Sequence, residues 1–239
     1  MQWYDNTVSA LEPGKTYTRS ALMDCMKKDN PSLSRNSFQW AVGSMVQSGK
    51  LVRTGFDEYE LPGDLQRPIY SPDYTDSAKA LMEQIAEKYP FSQFTVFETS
   101  LMNEFLNHLI AQNTIFIQVE KETSVFVFRF LQEEGNQNLM YKPTKKDFNL
   151  YWSKDSIIVT DMVSESPLLQ DSPHSISLEK MLVDMYCDKL ISSTFSKAEY
   201  ASVVEQATSK YMVERPKLLR YARRRNKEAE IEVFFNEAK

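Results

Sequence analysis

The sequence predicts an α+β fold in two parts, and three observations carry that prediction. Residues 17–61 hold two helix-length apolar stripes joined by a short turn, then two strand-like runs. Residues 62–73 (PGDLQRPIYSPD) hold three prolines and a glycine, the composition of a link between domains. Beyond them, strand-like runs such as Thr114–Glu120 (TIFIQVE) alternate with helical stretches, the order of a small mixed sheet with helices on it. A chain of 239 residues is long enough for two domains of ordinary size. The expected division is 1–61, a link over 62–73, and 74–239.

Gln2 to Leu11 is expected to form the first helix, with Trp3, Tyr4, Val8 and Leu11 turned inward and Glu12–Lys15 as the turn after it. Thr18 then caps a helix over Arg19–Lys28, since its hydroxyl accepts from an otherwise unpaired backbone N–H. Leu22, Met23 and Met26 give that helix its apolar face, and Asn30–Pro31 stops it, because the residue before proline avoids the α region. A second helix starts at Ser34, buries Phe38, Ala41, Val42, Met45 and Val46, and ends at Ser48–Gly49. Leu51–Thr54 and Glu58–Leu61, on either side of Gly55–Asp57, read as a β-hairpin. Helix, turn, helix and hairpin in this order are the layout of a winged helix-turn-helix.

The outward side of the second helix carries Arg35, Asn36, Gln39, Gly43 and Gln47. Arginine bonds guanine bidentately, and asparagine or glutamine does the same for adenine, so this is the residue chemistry of a major-groove reader. Crowding these groups toward the helix start fits a helix docked by its N-terminal turns. Ser34, Arg35, Asn36, Gln39, Gln47, Lys50 and Arg53 are therefore the expected contacts to double-stranded DNA. Residues 15–53 carry seven Lys/Arg against two Asp/Glu, whereas residues 1–70 balance at eight against eight. The local excess gives modest support to DNA contact, and the overall balance favours a chosen site over general coating of DNA, which rests on phosphate neutralisation. The whole-chain charge of −5 points the same way.

In the second part, a helix is expected over 76–89, strands at Phe94–Glu98, Thr114–Glu120, Leu139–Tyr141 and Ile157–Thr160, and helices over 100–108 and 122–133. Residues 161–175, with two prolines and several serines, read as a loop. Leu178, Met181, Leu182, Met185, Tyr186 and Leu190 form one helical stripe, and Ser196 with Glu199 reads as a capping box opening another helix. Residues 215–227 then hold seven basic residues and no acid. Arg220, Arg223, Arg224 and Lys227 share one face at i, i+3, i+4, i+7 spacing, so they are the expected contact to an anion or an acidic partner.

No catalytic centre assembles from the sequence. His108 and His174 have no cysteine or carboxylate at ligand spacing, and the six glycines make no phosphate-binding pattern. Asp184 with Asp188, and Glu98 with Glu120, are pairs of a kind that holds metals, although solvated or salt-bridged carboxylates are commoner. No catalytic residue, metal or cofactor is expected. Cys25 and Cys187 sit in predicted helices as free thiols. No apolar run reaches the ~18 to 20 residues needed to span a bilayer, so the expected location is cytoplasmic, with no membrane partner.

The winged helix, the proline-rich link, the small α/β domain and the helix opening Leu178-Glu179-Lys180-Met181-Leu182-Val183-Asp184 together resemble the AbiEi-type antitoxins of type IV toxin–antitoxin systems. Glu179, Lys180, Leu182 and Asp184 match the Glu-Lys-x-Leu-x-Asp helix common in that family, and the chain is similar to a divergent member. The resemblance implies an autorepressor that binds inverted repeats in its operator as a monomer or weak dimer. It also implies that the second domain counteracts a functional partner, a GTP-using nucleotidyltransferase toxin. The other readings left open are a ligand-responsive winged-helix regulator with no toxin partner and an enzyme of degenerate nucleotidyltransferase or nuclease type, which would require a metal site that the sequence does not show. The acidic hairpin tip (Asp57, Glu58, Glu60) is unlike a wing that enters the minor groove deeply.

Overall fold

The structure, a computed structural model, describes residues 4–12, 15–61, 67–169 and 171–237. The protein is α+β and divides into two compact units, Met1–Ile69 with Thr208–Lys217, and Tyr70–Ala207 with Leu218–Lys239. The division drawn from the sequence does not include the return of 208–217 to the first unit. That segment is tied there by the Met212 N–H, which donates to the Pro68 carbonyl at 3.1 Å. Expectations for Gln2, Trp3, Pro13, Gly14, residues 62–66 and the side chains of Val8 and Gln47 lie outside what is described.

In unit 1, α1 (Asp5–Ala10) leads to β1 (Thr16–Thr18), α2 (Arg19–Asp29), α3 (Arg35–Gln47), β2 (Val52–Gly55) and β3 (Glu58–Glu60). Local chemistry sets the helix ends. Thr18 Oγ1 accepts from Ala21 N, and Ser34 Oγ accepts from Ser37 N at 3.1 Å. Gly49, at φ +72°, closes α3 in the left-handed conformation that favours glycine. Lys50 N then donates to Met45 O and Gly49 N to Val46 O, the bond pair that satisfies the last helical carbonyls. The hairpin is joined by a strand the sequence reading missed, since β1 pairs antiparallel with β3, giving the order β1-β3-β2. Phe38, Ala41, Val42 and Met45 of α3 pack with Leu22, Met26, Leu51 and Tyr59 in one core.

Unit 2 is built on a four-stranded sheet in the order β4-β5-β7-β6. Its strands are β4 (Phe94–Glu98), β5 (Thr114–Val119), β6 (Leu139–Tyr141) and β7 (Ser156–Asp161). β4 runs antiparallel to β5, whereas β5 and β6 both run parallel to β7. Every residue of β4 and β5 is buried, as a sheet covered on both faces requires. The outer edge of β4 is covered too. Val96 N donates to His174 O, and the Tyr74 hydroxyl donates to Val96 O at 2.6 Å while accepting from Ile176 N at 2.8 Å.

The helices of the C-terminal two-thirds are α4 (Asp76–Lys88), α5 (Ser124–Glu133), α6 (Lys145–Tyr151), α7 (Leu178–Cys187), α8 (Tyr200–Lys210), α9 (Arg215–Arg224) and α10 (Glu228–Glu237). Three expectations need correction. Residues 99–104 form a tight 3-10 turn rather than a helix to 108, because Asn113 and Asn103 side chains accept from Ser100 N and Ile110 N. The Ser196–Glu199 capping box does not form. Glu199 instead accepts from Asn107 N and His108 N, and the helix begins at Tyr200. The unexpected α6 opens with a true box, in which Thr144 and Asp147 satisfy each other's backbone donors. No helix among the described residues is long and apolar enough to cross a membrane.

Candidate functional site

The surface of unit 1 that brings most of the expected contact residues together is the outer side of α3. Arg35, Asn36, Gln39 and Gly43 are exposed there, as is the capping Ser34. Lys50 is half-buried, with its ammonium 5.7 Å from the centre of the Tyr4 ring. Arg53 is turned back along its own hairpin, donating from Nε to the Gly55 carbonyl at 3.2 Å. The acidic tip is partly neutralised, because Arg19 pairs with Asp57 at 3.7 Å while its backbone N–H donates to the Asp57 carbonyl. Two aromatics were missed from the sequence. Trp40 is 58% exposed in the middle of the outer side of α3, and Phe56 is 89% exposed at the hairpin turn. The signal for Trp40 was its spacing, four residues after Asn36 and three before Gly43, off the buried stripe.

Unit 2 contains a buried ionic network that residue type alone concealed. Lys180 and Asp184, one turn apart on α7, are 0% and 1% exposed and pair at 2.7 Å. The Tyr221 hydroxyl donates to Asp184 Oδ1 at 2.8 Å, and the Gln118 amide of β5 donates to Oδ2 at 3.3 Å. Arg225 reaches the same carboxylate at 3.3 Å and Asp188 at 3.9 Å. Burial and the nearby Asp184 charge push the Tyr221 phenol well above its usual value, so it stays a donor. Burial opposes the charge on Arg225 most strongly, but Asp184, Tyr221, Asp188 and Cys187 together outweigh it and its pKa is raised. Burial, then Asp184, raise the Asp188 carboxyl. The Glu-Lys-x-Leu-x-Asp residues Glu179, Lys180, Leu182 and Asp184 are all buried. The motif therefore joins α7 to β5 and to the end of α9, and a ligand in solvent does not meet it.

The basic stripe has partners within unit 2. Arg223 forks onto Glu228 at 2.7 and 2.5 Å, Lys227 pairs with Glu230 at 2.6 Å, and Arg220 lies 4.0 Å from Glu165. Arg224 donates to the Ser164 hydroxyl at 2.5 Å. The positive charge of residues 215–227 is thus balanced in part by Glu165, Glu228 and Glu230, acids outside that segment.

The carboxylate pairs weighed as metal ligands are engaged otherwise. Asp184 faces cations, and the buried Glu98 accepts from Thr75 N, Thr75 Oγ1 and Asn113 Nδ2 at 2.6, 2.8 and 2.7 Å. No group of three or more His, Cys, Asp or Glu placed to hold a metal occurs among the described residues. His174 stacks on Phe94 with ring centres 3.9 Å apart, and His108 pairs with Glu199 at 3.2 Å. An open groove of about 730 Å³ in unit 2 is lined by Leu109, Ile110, Trp152 and Phe195, with His108 and Glu199 among its residues.

Together these features define an α+β protein with a small three-stranded unit and a mixed-sheet unit, with exposed polar groups gathered on the face of α3 and a buried ionic network at α7. The chain belongs to a family of unknown function, DUF6577, whose model matches residues 37–239. No curated protein matches it. Among solved structures it is similar to the RV2827C protein from Mycobacterium tuberculosis at 11% identity, covering 97% of this chain and 80% of that one with a TM-score of 0.34.

Proposed function

We propose that unit 1 is a winged helix-turn-helix that presents α3 to the major groove of duplex DNA, and that the chain is an autorepressor doubling as an antitoxin. The observation that carries the DNA reading is the outer side of α3. Arg35, Asn36 and Gln39 stand exposed on the first turns of a capped helix whose other side is locked into the core. These groups match base edges, and helix N-terminal turns are where such readers meet them. The β1-β3-β2 sheet supports the same reading, because a strand before the helix pair completes the usual winged-helix order.

The antitoxin half rests on the resemblance of the α7 motif to the AbiEi type. Since Glu179, Lys180, Leu182 and Asp184 are buried, the motif supports a shared core and not a toxin-contact surface. Two experiments separate the halves. Arg35→Ala and Gln39→Ala should each weaken preferential binding to the chain's own upstream DNA while leaving rescue from a co-expressed nucleotidyltransferase intact. Normal DNA binding by both variants contradicts the reading of α3, and failure of the wild-type chain to rescue contradicts the antitoxin reading. The apolar groove at Leu109, Trp152 and Phe195 favours a second reading, a ligand-responsive regulator. Release of DNA by a small molecule that saturates this groove, with no toxin encoded alongside, would select it.

A further inference from the structure

Two residues on the outer side of α3 are explained neither by the fold nor by polar base reading. Gly43 lies inside a 13-residue helix, where glycine is among the least favourable residues. Its φ is not positive, and a Cβ added there meets nothing within 4 Å among the described residues. Nothing among the described residues around Gly43 therefore calls for glycine. Trp40, three residues earlier and on the same side, turns most of its indole to solvent, held at one edge by Tyr4 with ring centres 6.2 Å apart. A bare stretch of helix backbone beside a projecting ring is the shape of a surface that another molecule approaches closely.

We propose that Gly43 marks the closest approach of α3 to the duplex and that Trp40 packs on the C5 methyl of a thymine. The inference rests on the DNA reading above. The thymine methyl is the apolar group that base pairs present in the major groove, so an indole carried into that groove finds its partner there. Asn36, one turn before Trp40, is placed to read a neighbouring adenine by its N6 and N7.

The test uses the full chain and a duplex it selects from a random-sequence library, with anisotropy titrations at one fixed salt concentration. Gly43→Ala should raise the melting temperature, as alanine does in a helix interior, yet weaken binding by about tenfold through the added methyl's clash. Thymine-to-uracil replacement at one position should weaken wild-type binding by about fourfold, the effect of one buried methyl, and should not affect Trp40→Ala. Selective binding that Gly43→Ala leaves unchanged, or a lowered melting temperature, overturns the inference while the DNA reading stands. Equal sensitivity of wild type and Trp40→Ala to every uracil overturns the thymine contact. Failure to select any duplex overturns both readings.

Discussion

Asp184→Ala takes the shared carboxylate out of the α7 network and leaves Lys180, which is 0% exposed, without its ion-pair partner. Breaking a buried pair from one side costs about 3–5 kcal/mol, because the remaining charge stays desolvated. The Tyr221 hydroxyl and the Gln118 amide lose an acceptor in the same change, so the upper part of that range is expected. Lys180→Met is the contrasting perturbation. It leaves Asp184 still held by Tyr221 at 2.8 Å and Arg225 at 3.3 Å, and methionine nearly fills the lysine stem's volume, so about 1–2 kcal/mol is expected. Adding Lys180→Met to Asp184→Ala removes the stranded cation and should recover part of the loss, a coupling that a double-mutant cycle reads directly. Urea unfolding followed by far-UV circular dichroism gives the three midpoints. A loss under about 1 kcal/mol for Asp184→Ala, or a larger loss for Lys180→Met, would refute the argument that desolvation of Lys180 dominates.

Gly49→Ala should cost about 1 kcal/mol or more, since the residue sits at φ +72° and its new methyl meets the Met212 methyl at 3.1 Å; thermal melting of unit 1 measures it. Single Arg35→Ala and Gln39→Ala substitutions should each weaken selective DNA binding by about 1–3 kcal/mol per lost bidentate base contact with unchanged melting temperature, and a matched fall in both quantities would instead mean damaged folding. Burial raises the phenols of Tyr74, Tyr200 and Tyr221 far above their usual 10.0, and raises the Cys187 thiol from 9.0 to about 11. Folded-state values above unfolded ones mean that their stabilising contribution is full below pH 9 and is lost as pH rises through the folded values. Stability should therefore fall above about pH 10, with tyrosinate absorbance from these rings appearing together with unfolding. Ionisation of all the tyrosines before any unfolding would contradict their burial.

Much of unit 1 was legible because its signals are local. Thr18, Ser34 and Gly49 act on backbone groups within four residues of themselves, and the stripe Phe38, Ala41, Val42, Met45 follows the helical repeat directly. β1 was not legible. It is three residues long, its last residue doubles as the cap of α2, and its partner Glu58–Glu60 lies about forty positions away. Ser196–Glu199 failed for a related reason, since a distant loop at Asn107–His108 supplied better donors for the carboxylate than the helix start did. On α9 the exposed stripe Arg220, Arg223, Arg224, Lys227 drew the reading to charge. The opposite stripe, Leu218, Tyr221, Ala222 and Arg225, has the same i, i+3, i+4, i+7 spacing and carries the buried contact to Asp184. The Lys180–Asp184 pair was visible as an i, i+4 pair, but its burial depends on β5 and α9 and no local pattern encodes that.

Whether α3 reads DNA is measured most directly by binding of the purified chain to its own upstream duplex across a salt series, beside an unrelated duplex of equal length. The prediction is tight preferential binding whose log K falls linearly with log salt, with Arg35→Ala reducing the preference and leaving most of the non-specific affinity. Equal affinity for both duplexes at every salt concentration would contradict it, and would leave the outer side of α3 as a surface for something other than DNA.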